Sequence, residues 1–153
     1  MSRQPSRHDA SLTWSRGTPD FAYDTYDRSH RIVYGSGVTV TASSAVEFKG
    51  DPTKVNPEES FVGALSSCHM LTFLAIAARR RLVVDSYEDA AEGYLEMNAA
   101  GRLAMTRVIL RPKVRFAEGV AVSAAALAEL HRLSHENCFI AQSVTTDVTV
   151  EPA

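Results

Sequence analysis

The sequence predicts an α+β protein with a largely antiparallel sheet. Segments with alternating or β-branched residues, which are typical of strands, fill most of the chain outside two stretches with helical patterns. The two helical stretches separate groups of strands, which favours α+β over regularly alternating α/β architecture. A chain of 153 residues can bury the core of one domain. We therefore expect a flexible tail at residues 1–10 and a single domain at 11–153.

The first third of the chain is predicted to contain only strands and loops. Residues 11–14 begin a strand, residues 21–26 alternate like a half-buried strand, and residues 31–34 extend that strand or form another. A glycine-containing turn then leads into the β-branched residues 38–41. Residues 43–54 have no clear period and are predicted to form a loop.

The first helix has a strong N-terminal signal. Asn56 is a good N-cap, Pro57 suits the first helical position, and Glu58 and Glu59 complement the helix dipole. The helix should run to about Arg80 and is apolar on almost all sides, which predicts a central position in the fold. Polar residues interrupt the apolar run, so we expect a buried helix and no membrane span. Burial within a dimer would account for its apolar surface.

Two long strands, a second helix and a final strand are predicted after the first helix. The strands cover about residues 84–97 and 102–116 and are joined by a turn around 98–101. Ser123 caps a helix that runs to about Glu136. Residues 144–150 alternate and close the chain as a strand.

Charge and composition narrow the function classes. A formal net charge of −2 gives no global attraction to nucleic acid or to an anionic membrane. The basic run at residues 79–81 closes a helix, where cations favour the negative end of the dipole. The N-terminus has no apolar segment typical of a secretory signal, so we expect a cytoplasmic protein.

Two cysteines are the most informative residues of the chain. Cys68 lies in the apolar helix, and Cys138 lies at the end of the second helix in a Ser-His-Glu-Asn-Cys run. The reducing cytosol disfavours a structural disulfide, so a redox-active pair is favoured if the fold brings the thiols together. Inert burial remains the alternative, because cysteine is among the most buried residue types.

The surroundings of both cysteines resemble the OsmC/Ohr family of organic-hydroperoxide-reducing proteins. Residues 56–61 (Asn-Pro-Glu-Glu-Ser-Phe) and 64–70 (Ala-Leu-Ser-Ser-Cys-His-Met) carry the first half of the resemblance, and residues 134–138 carry the second. The order of strands and helices also agrees. Phe139 stands where the family often has a proline, and the glycine-rich loop of the dedicated organic-hydroperoxide branch is absent. The chain therefore looks like an OsmC-like relative of that branch.

The resemblance implies a thiol peroxidase without haem or metal, which forms an intertwined homodimer around a long central helix. Cys68 matches the peroxidatic cysteine and Cys138 the resolving one. Glu58 matches the glutamate of the Asn-Pro-Glu motif, and Arg16 matches the catalytic arginine after the first strand, with Arg28 and Arg31 as alternatives. The implied partners are an organic hydroperoxide, with hydrogen peroxide left open as a second substrate, and an external dithiol reductant.

Helix geometry limits the role of the glutamate. Ten residues of straight α-helix separate Glu58 from Cys68 by about 15 Å, so the two side chains cannot touch on one unbroken helix. Either the helix breaks near Gly63 or residues 66–67, or an arginine bridges the two groups. The alternative to a role at the site is that Glu58 only complements the helix dipole as a charge in the first turn.

Three other functions remain as alternatives. A zinc site could use two cysteines and two histidines, although an adjacent Cys-His and a lone His-x-x-Cys are poor chelating arrangements. A cysteine-dependent acyl hydrolase would need a base beside Cys68 and would leave Cys138 without a role. A non-enzymatic scaffold could bind a small apolar ligand with idle cysteines. The four zinc candidates are Cys68, His69, His135 and Cys138.

Overall fold

The computed structural model describes residues 3–153, which form two compact units, one ending at Pro57 and one running from Glu58 to Ala153. The first unit contains a three-stranded antiparallel sheet in the order β1-β2-β3. Its strands are β1 (Ala10–Thr13), β2 (His30–Tyr34) and β3 (Thr39–Ala42). Gly37 has a φ of +87°, which lets the chain turn tightly between β2 and β3 as predicted.

The predicted strand at residues 21–26 is wrong. This segment folds into a turn in which the amides of Thr25 and Tyr26 both donate to the carbonyl of Ala22, at 3.1 and 3.0 Å. Its aromatic side chains pack on one another, with the Phe21 and Tyr26 ring centroids 5.2 Å apart. The alternating residues therefore form an aromatic cluster in a loop. Their sequence pattern is the same as that of a half-buried strand.

The second unit contains both helices and five strands. Helix α1 (Pro57–Arg79) is continuous, and α2 (Ala124–Asn137) is capped by Ser123, whose hydroxyl accepts a hydrogen bond from the amide of Ala126 at 3.1 Å. Both helices agree with prediction within one residue at each end. The strands are β4 (Val84–Asp89), β5 (Glu92–Met97), β6 (Leu103–Leu110), β7 (Pro112–Phe116) and β8 (Asp147–Val150).

Each of the two long strands predicted at 84–97 and 102–116 is divided in two. The register nevertheless continues across the interruption, because Asp89 lies opposite Pro112 and Glu92 lies opposite Ile109. A carboxylate oxygen of Asp89 accepts the amide of Arg111 at 2.7 Å, and Pro112 has no amide to donate. Side-chain bonding therefore replaces backbone pairing at this point, and β4–β7 and β5–β6 form separate ladders.

The final strand is shorter than predicted, since residues 144–146 lie outside β8. It pairs with β6 in parallel, and every other strand pair is antiparallel. The predicted α+β class with largely antiparallel sheet is confirmed.

Helix α1 contributes to both cores of the second unit. Leu65 packs with Val108, Leu110 and Val148 in one cluster. A second cluster consists of Phe73, Ala77 and Leu130. The central position predicted for this helix is therefore confirmed.

One side of α1 remains open to solvent. Its most apolar 18 residues have a mean hydropathy of 1.7, but only 22% of this window is buried. Length and hydropathy alone would allow such a helix to cross a membrane, and a core helix of a soluble protein meets the same criteria.

Candidate active site around two cysteines

The two cysteines lie on different helices and are close neighbours. Cys68 is half-buried in the middle of α1, and Cys138 is 1% exposed at the C-terminal cap of α2. The Cys68 thiol lies close enough to Cys138 to raise the pKa of the Cys138 thiol. Both are free thiols. The fold thus brings together two sulfur atoms that are far apart in sequence. A redox-active pair requires this proximity.

The Cys138 thiol is held in its protonated form. Burial is the largest cause that raises its pKa, to about 11, and the neighbouring Cys68 raises it further. The amide of Ala141 donates to the sulfur at 3.5 Å and acts in the opposite direction, with a smaller effect. A thiol of this kind is a poor nucleophile towards free peroxide.

Glu58 lies in the first turn of α1, which is unbroken through Cys68. This excludes the predicted alternative of a helix break near Gly63 or residues 66–67 and, with it, direct contact between Glu58 and Cys68. The Oε2 atom of Glu58 is buried without a hydrogen-bond partner among the residues that the structure describes. A buried carboxylate oxygen without a partner is costly, so a cationic or hydrogen-bonding group is expected to approach it.

The three candidate arginines belong to the first unit and differ in how they are held. Arg16 is exposed and donates to the carbonyls of Thr18, at 3.0 Å, and Pro19. Arg31 is an exposed residue of β2. The assignment of Arg16 to the site remains a prediction.

Arg28 is the best-ordered of the three by its contacts. It is 9% exposed, donates to the carbonyls of Tyr23 and Tyr26 at 2.7 and 3.0 Å, and stacks over the Tyr26 ring at 3.9 Å. These contacts fix the guanidinium orientation.

A buried pair of histidines bridges α1 and α2. His69 Nε2 lies 3.1 Å from His131 Nδ1, and the rings are stacked with centroids 5.4 Å apart. The sequence marks His69 as a neighbour of Cys68 and as a candidate zinc ligand, and it does not single out His131. The available signal was the position of His131 on the apolar stripe of α2, beside Leu127 and Leu130.

The zinc alternative has no suitable ligand set. Between residues 3 and 153, no three histidine, cysteine, aspartate or glutamate side chains are arranged to hold a metal ion. The Nε2 atom of His69 is already engaged by His131. The four candidate ligands named from the sequence therefore do not form a metal centre in this arrangement.

Known structures with the same fold include proteins linked to peroxide resistance. An OsmC-like protein of unknown function from Vibrio cholerae is 42% identical, with a TM-score of 0.90, and the match covers 97% of this chain and 99% of that one. An organic hydroperoxide resistance protein from Legionella pneumophila matches with 14% identity and a TM-score of 0.75 over 99% of both chains. OhrB, the organic hydroperoxide resistance protein of Bacillus subtilis, matches with 17% identity and a TM-score of 0.70 over 96% of this chain and 98% of that one.

The two hydroperoxide resistance proteins are too distant in sequence to establish more than a common fold. A search of the curated proteins gave no match. The model of the OsmC-like protein family matches residues 50–153, which include α1, both cysteines and Glu58. The chain therefore belongs to the OsmC-like family.

Proposed function

We propose that this protein is a cytoplasmic, cysteine-based peroxidase that reduces organic hydroperoxides to alcohols. The observation that most supports this is the proximity of Cys68 on α1 to the buried Cys138 at the end of α2. A half-buried thiol beside a deeply buried, protonated one matches the division of labour between an attacking and a resolving cysteine.

The reaction begins at Cys68. Its thiolate attacks the distal oxygen of the hydroperoxide, the O–O bond breaks, and the leaving alkoxide takes up a proton to give the alcohol. Cys68 is left as a sulfenic acid. The Cys138 thiol then displaces the hydroxyl group, which leaves as water, and a Cys68–Cys138 disulfide forms. An external dithiol restores both thiols by exchange and is itself oxidised to a disulfide.

Glu58 and an arginine are proposed to prepare Cys68 for attack. An arginine near the sulfur would favour the thiolate and could hydrogen-bond the peroxide, while Glu58 would orient that arginine. The buried and unpartnered Oε2 of Glu58 supports this role. Arg16 is the candidate from sequence, and Arg28 is the alternative with the more fixed guanidinium. Separate substitution of Arg16, Arg28 and Arg31 by lysine distinguishes them, because only one should slow the attack on hydroperoxide.

A homodimer is part of the proposal. The open side of α1 is a stripe of small and apolar residues at helical spacing, and Leu71 within it is 60% exposed. Exposed apolar surface of this kind is typical of an interface, and a second copy of the chain offers a matching helix. The stripe consists of Gly63, Ala64, Ser67, Leu71, Ala75 and Ala78.

The central experiment treats the reduced protein with one equivalent of cumene hydroperoxide and analyses it by mass spectrometry. We expect one equivalent of alcohol and a Cys68–Cys138 disulfide. The Cys138→Ser variant should stop at a sulfenic acid on Cys68 that dimedone traps, and the Cys68→Ser variant should leave the hydroperoxide unchanged. Two unreacted thiols in the native protein would refute the peroxidase.

A non-enzymatic ligand-binding function is the second candidate. The loop after β1 forms an open pocket of about 370 Å³ lined by Trp14, Phe21, Ala22, Tyr23 and Tyr26. Apolar cavities with aromatic walls are typical of sites for small organic ligands. Trp14 is the only tryptophan, so its fluorescence reports on occupancy during a titration with 2-phenyl-2-propanol. Saturable binding without any consumption of hydroperoxide would favour this function over the peroxidase.

A further inference from the structure

The histidine pair between α1 and α2 is buried and has few hydrogen-bond partners. His69 is 1% exposed and His131 is 3% exposed. Within residues 3–153, the remaining ring nitrogens, Nδ1 of His69 and Nε2 of His131, have no hydrogen-bond partner. The bond of 3.1 Å between the rings is therefore the main polar contact of both side chains.

A buried histidine pair stabilises the fold less than apolar side chains would in the same space. Each buried polar atom without a partner destabilises the folded state, and a pair of apolar side chains of similar shape would avoid that cost. A hydrogen bond differs from apolar packing because it is directional and fixes how two elements are placed. The two imidazoles thus call for a role in positioning.

Each histidine lies beside one of the two cysteines. His69 directly follows Cys68 on α1. His131 and Cys138 are two turns apart on α2 and therefore lie on the same side of that helix. The hydrogen bond between the imidazoles consequently joins the stretch of α1 that carries one sulfur to the face of α2 that leads to the other.

The surroundings keep both rings neutral, so that one can donate and the other accept. Burial is the largest cause that lowers the pKa of His69, to about 4, and the pKa of His131 is also lowered by burial. Phe73 packs on the His131 ring with centroids 4.6 Å apart. His135 on α2 adds to the lowering at His69, and Asp89 at the end of β4 partly opposes it at His131.

Within residues 3–153, the buried hydroxyl of Tyr87 has no hydrogen-bond partner, whereas Asp89 is engaged in contacts of its own. Its carboxylate accepts hydrogen bonds from the Ser66 hydroxyl and the Arg111 amide, at 2.5 and 2.7 Å. Tyr87 on β4 packs against Phe73, and burial raises the pKa of its hydroxyl. Within the described part of the chain, neither group is hydrogen-bonded to the two imidazoles, which are bonded to each other.

We propose that the His69–His131 hydrogen bond positions Cys138 against Cys68 and so promotes disulfide formation between them. The inference deepens the proposed function: it concerns the step in which the Cys138 thiol displaces water from the Cys68 sulfenic acid. The attack of Cys68 on hydroperoxide uses no thiol from Cys138 and should therefore not depend on the pair. His69 and His131 are thus positioning residues for resolution.

The test measures the equilibrium between the Cys68–Cys138 dithiol and oxidised glutathione, expressed as the effective concentration of one thiol at the other. This equilibrium involves no hydroperoxide. His131→Leu and His69→Leu remove the bond, whereas His69→Gln and His131→Asn each keep an amide nitrogen near the original ring position. His135→Asn, a neighbour of the pair on α2, is the matched control. Circular dichroism establishes that each variant is folded.

We expect each leucine variant to lower the effective concentration about tenfold, and the Gln and Asn variants to restore most of it. With hydroperoxide, the leucine variants should form the sulfenic acid at the native rate and resolve it more slowly. An effective concentration that is the same in all folded variants would overturn the inference. So would a native protein that never forms the disulfide with glutathione.

The two proposals fail in different ways. A protein that ignores hydroperoxide, but whose disulfide equilibrium depends on the histidine pair, would refute the peroxidase and support the positioning role. A protein that reduces hydroperoxide with equal resolution rates in all variants would do the reverse. If the leucine variants do not fold, a loss of effective concentration in His69→Ala/His131→Asn relative to His69→Gln/His131→Asn tests the same bond.

Discussion

Ser66 on α1 donates a hydrogen bond of 2.5 Å to Asp89, the last residue of β4, whose other carboxylate oxygen accepts the amide of Arg111 at 2.7 Å. One carboxylate thus joins the central helix to the interruption in the long hairpin. The same helix is joined to α2 by His69, three residues after Ser66. Cys68 therefore lies in a segment that is anchored on both sides.

The first prediction concerns this carboxylate. Asp89→Ala leaves the Arg111 amide and the Ser66 hydroxyl without their acceptor, and each bond to a charged acceptor is worth about 1.5–3 kcal/mol. We expect the free energy of unfolding to fall by about 2–4 kcal/mol in urea denaturation. The exposed neighbour Glu88→Ala should change it by less than about 0.5 kcal/mol. Equal stabilities of the two variants would contradict the anchoring role.

The second prediction concerns the reactivity of Cys138. Because burial raises the pKa of its thiol to about 11, the thiolate is scarce near neutral pH. In the Cys68→Ser variant, we expect alkylation of Cys138 by iodoacetamide to be slow at pH 7.5 and to accelerate about tenfold per pH unit above it. The urea-unfolded variant should react like an ordinary cysteine. Fast alkylation of the folded variant at pH 7.5 would show that Cys138 is not held as a thiol.

The third prediction concerns stability in acid. The pKa of His69 falls from 6.5 to about 4 on folding, and the pKa of His131 falls as well. As the pH falls below 6.5, the unfolded chain therefore binds more protons at these histidines than the folded chain does. Their contribution to stability is complete above pH 6.5 and is lost as the pH falls towards 4. Urea denaturation between pH 7.5 and 4 should give a steep loss of stability. The His69→Gln/His131→Asn variant should lose less over the same interval, and parallel curves would contradict this assignment.

The fourth prediction concerns the open side of α1. Leu71→Glu places a charge in the stripe that is proposed to face a second copy, and desolvating an unpaired carboxylate is costly. We expect this variant to be monomeric by sedimentation, whereas the native protein sediments as a dimer. Met97→Glu changes a similarly exposed apolar side chain on β5 and should leave the mass unchanged. A native monomer, or a Leu71→Glu dimer, would refute this interface.

The fifth prediction concerns Glu58. Replacing its carboxylate by an amide in Glu58→Gln removes the charge that would orient an arginine at the site. We expect the rate constant for the first attack on cumene hydroperoxide to fall at least about tenfold, with the protein still folded. Glu59→Gln, one position further along the first turn, is the matched control. Equal rates for the two variants would leave Glu58 with only its place near the positive end of the helix dipole.

The helices could be predicted from the sequence because their signals are local. Asn56, Pro57 and Ser123 mark helix starts through groups within a few residues of each other, and the structure agrees closely. The juxtaposition of Cys68 and Cys138 followed from the family resemblance, since no local pattern specifies which parts of α1 and α2 meet.

The failures have non-local causes. The alternating aromatic residues of 21–26 pack on one another and on Trp14 in a loop, and this pattern has the same period as a strand. The division of the hairpin depends on Asp89 reaching the amide of Arg111 on the opposite strand. His131 was overlooked because the partner that explains it lies on the other helix.

Because α1 is unbroken, the proposed Cys68–Cys138 disulfide should change the backbone on the Cys138 side and leave α1 unchanged. Cys68 is in the middle of a rigid 23-residue helix, so it cannot approach Cys138 by bending its own backbone. Cys138 follows the last turn of α2 in an extended conformation and precedes Phe139, whose side chain is largely exposed. We therefore expect the disulfide to be accommodated by residues 138–143. Amide hydrogen exchange in residues 138–143 would then distinguish the disulfide form of the protein from the dithiol form.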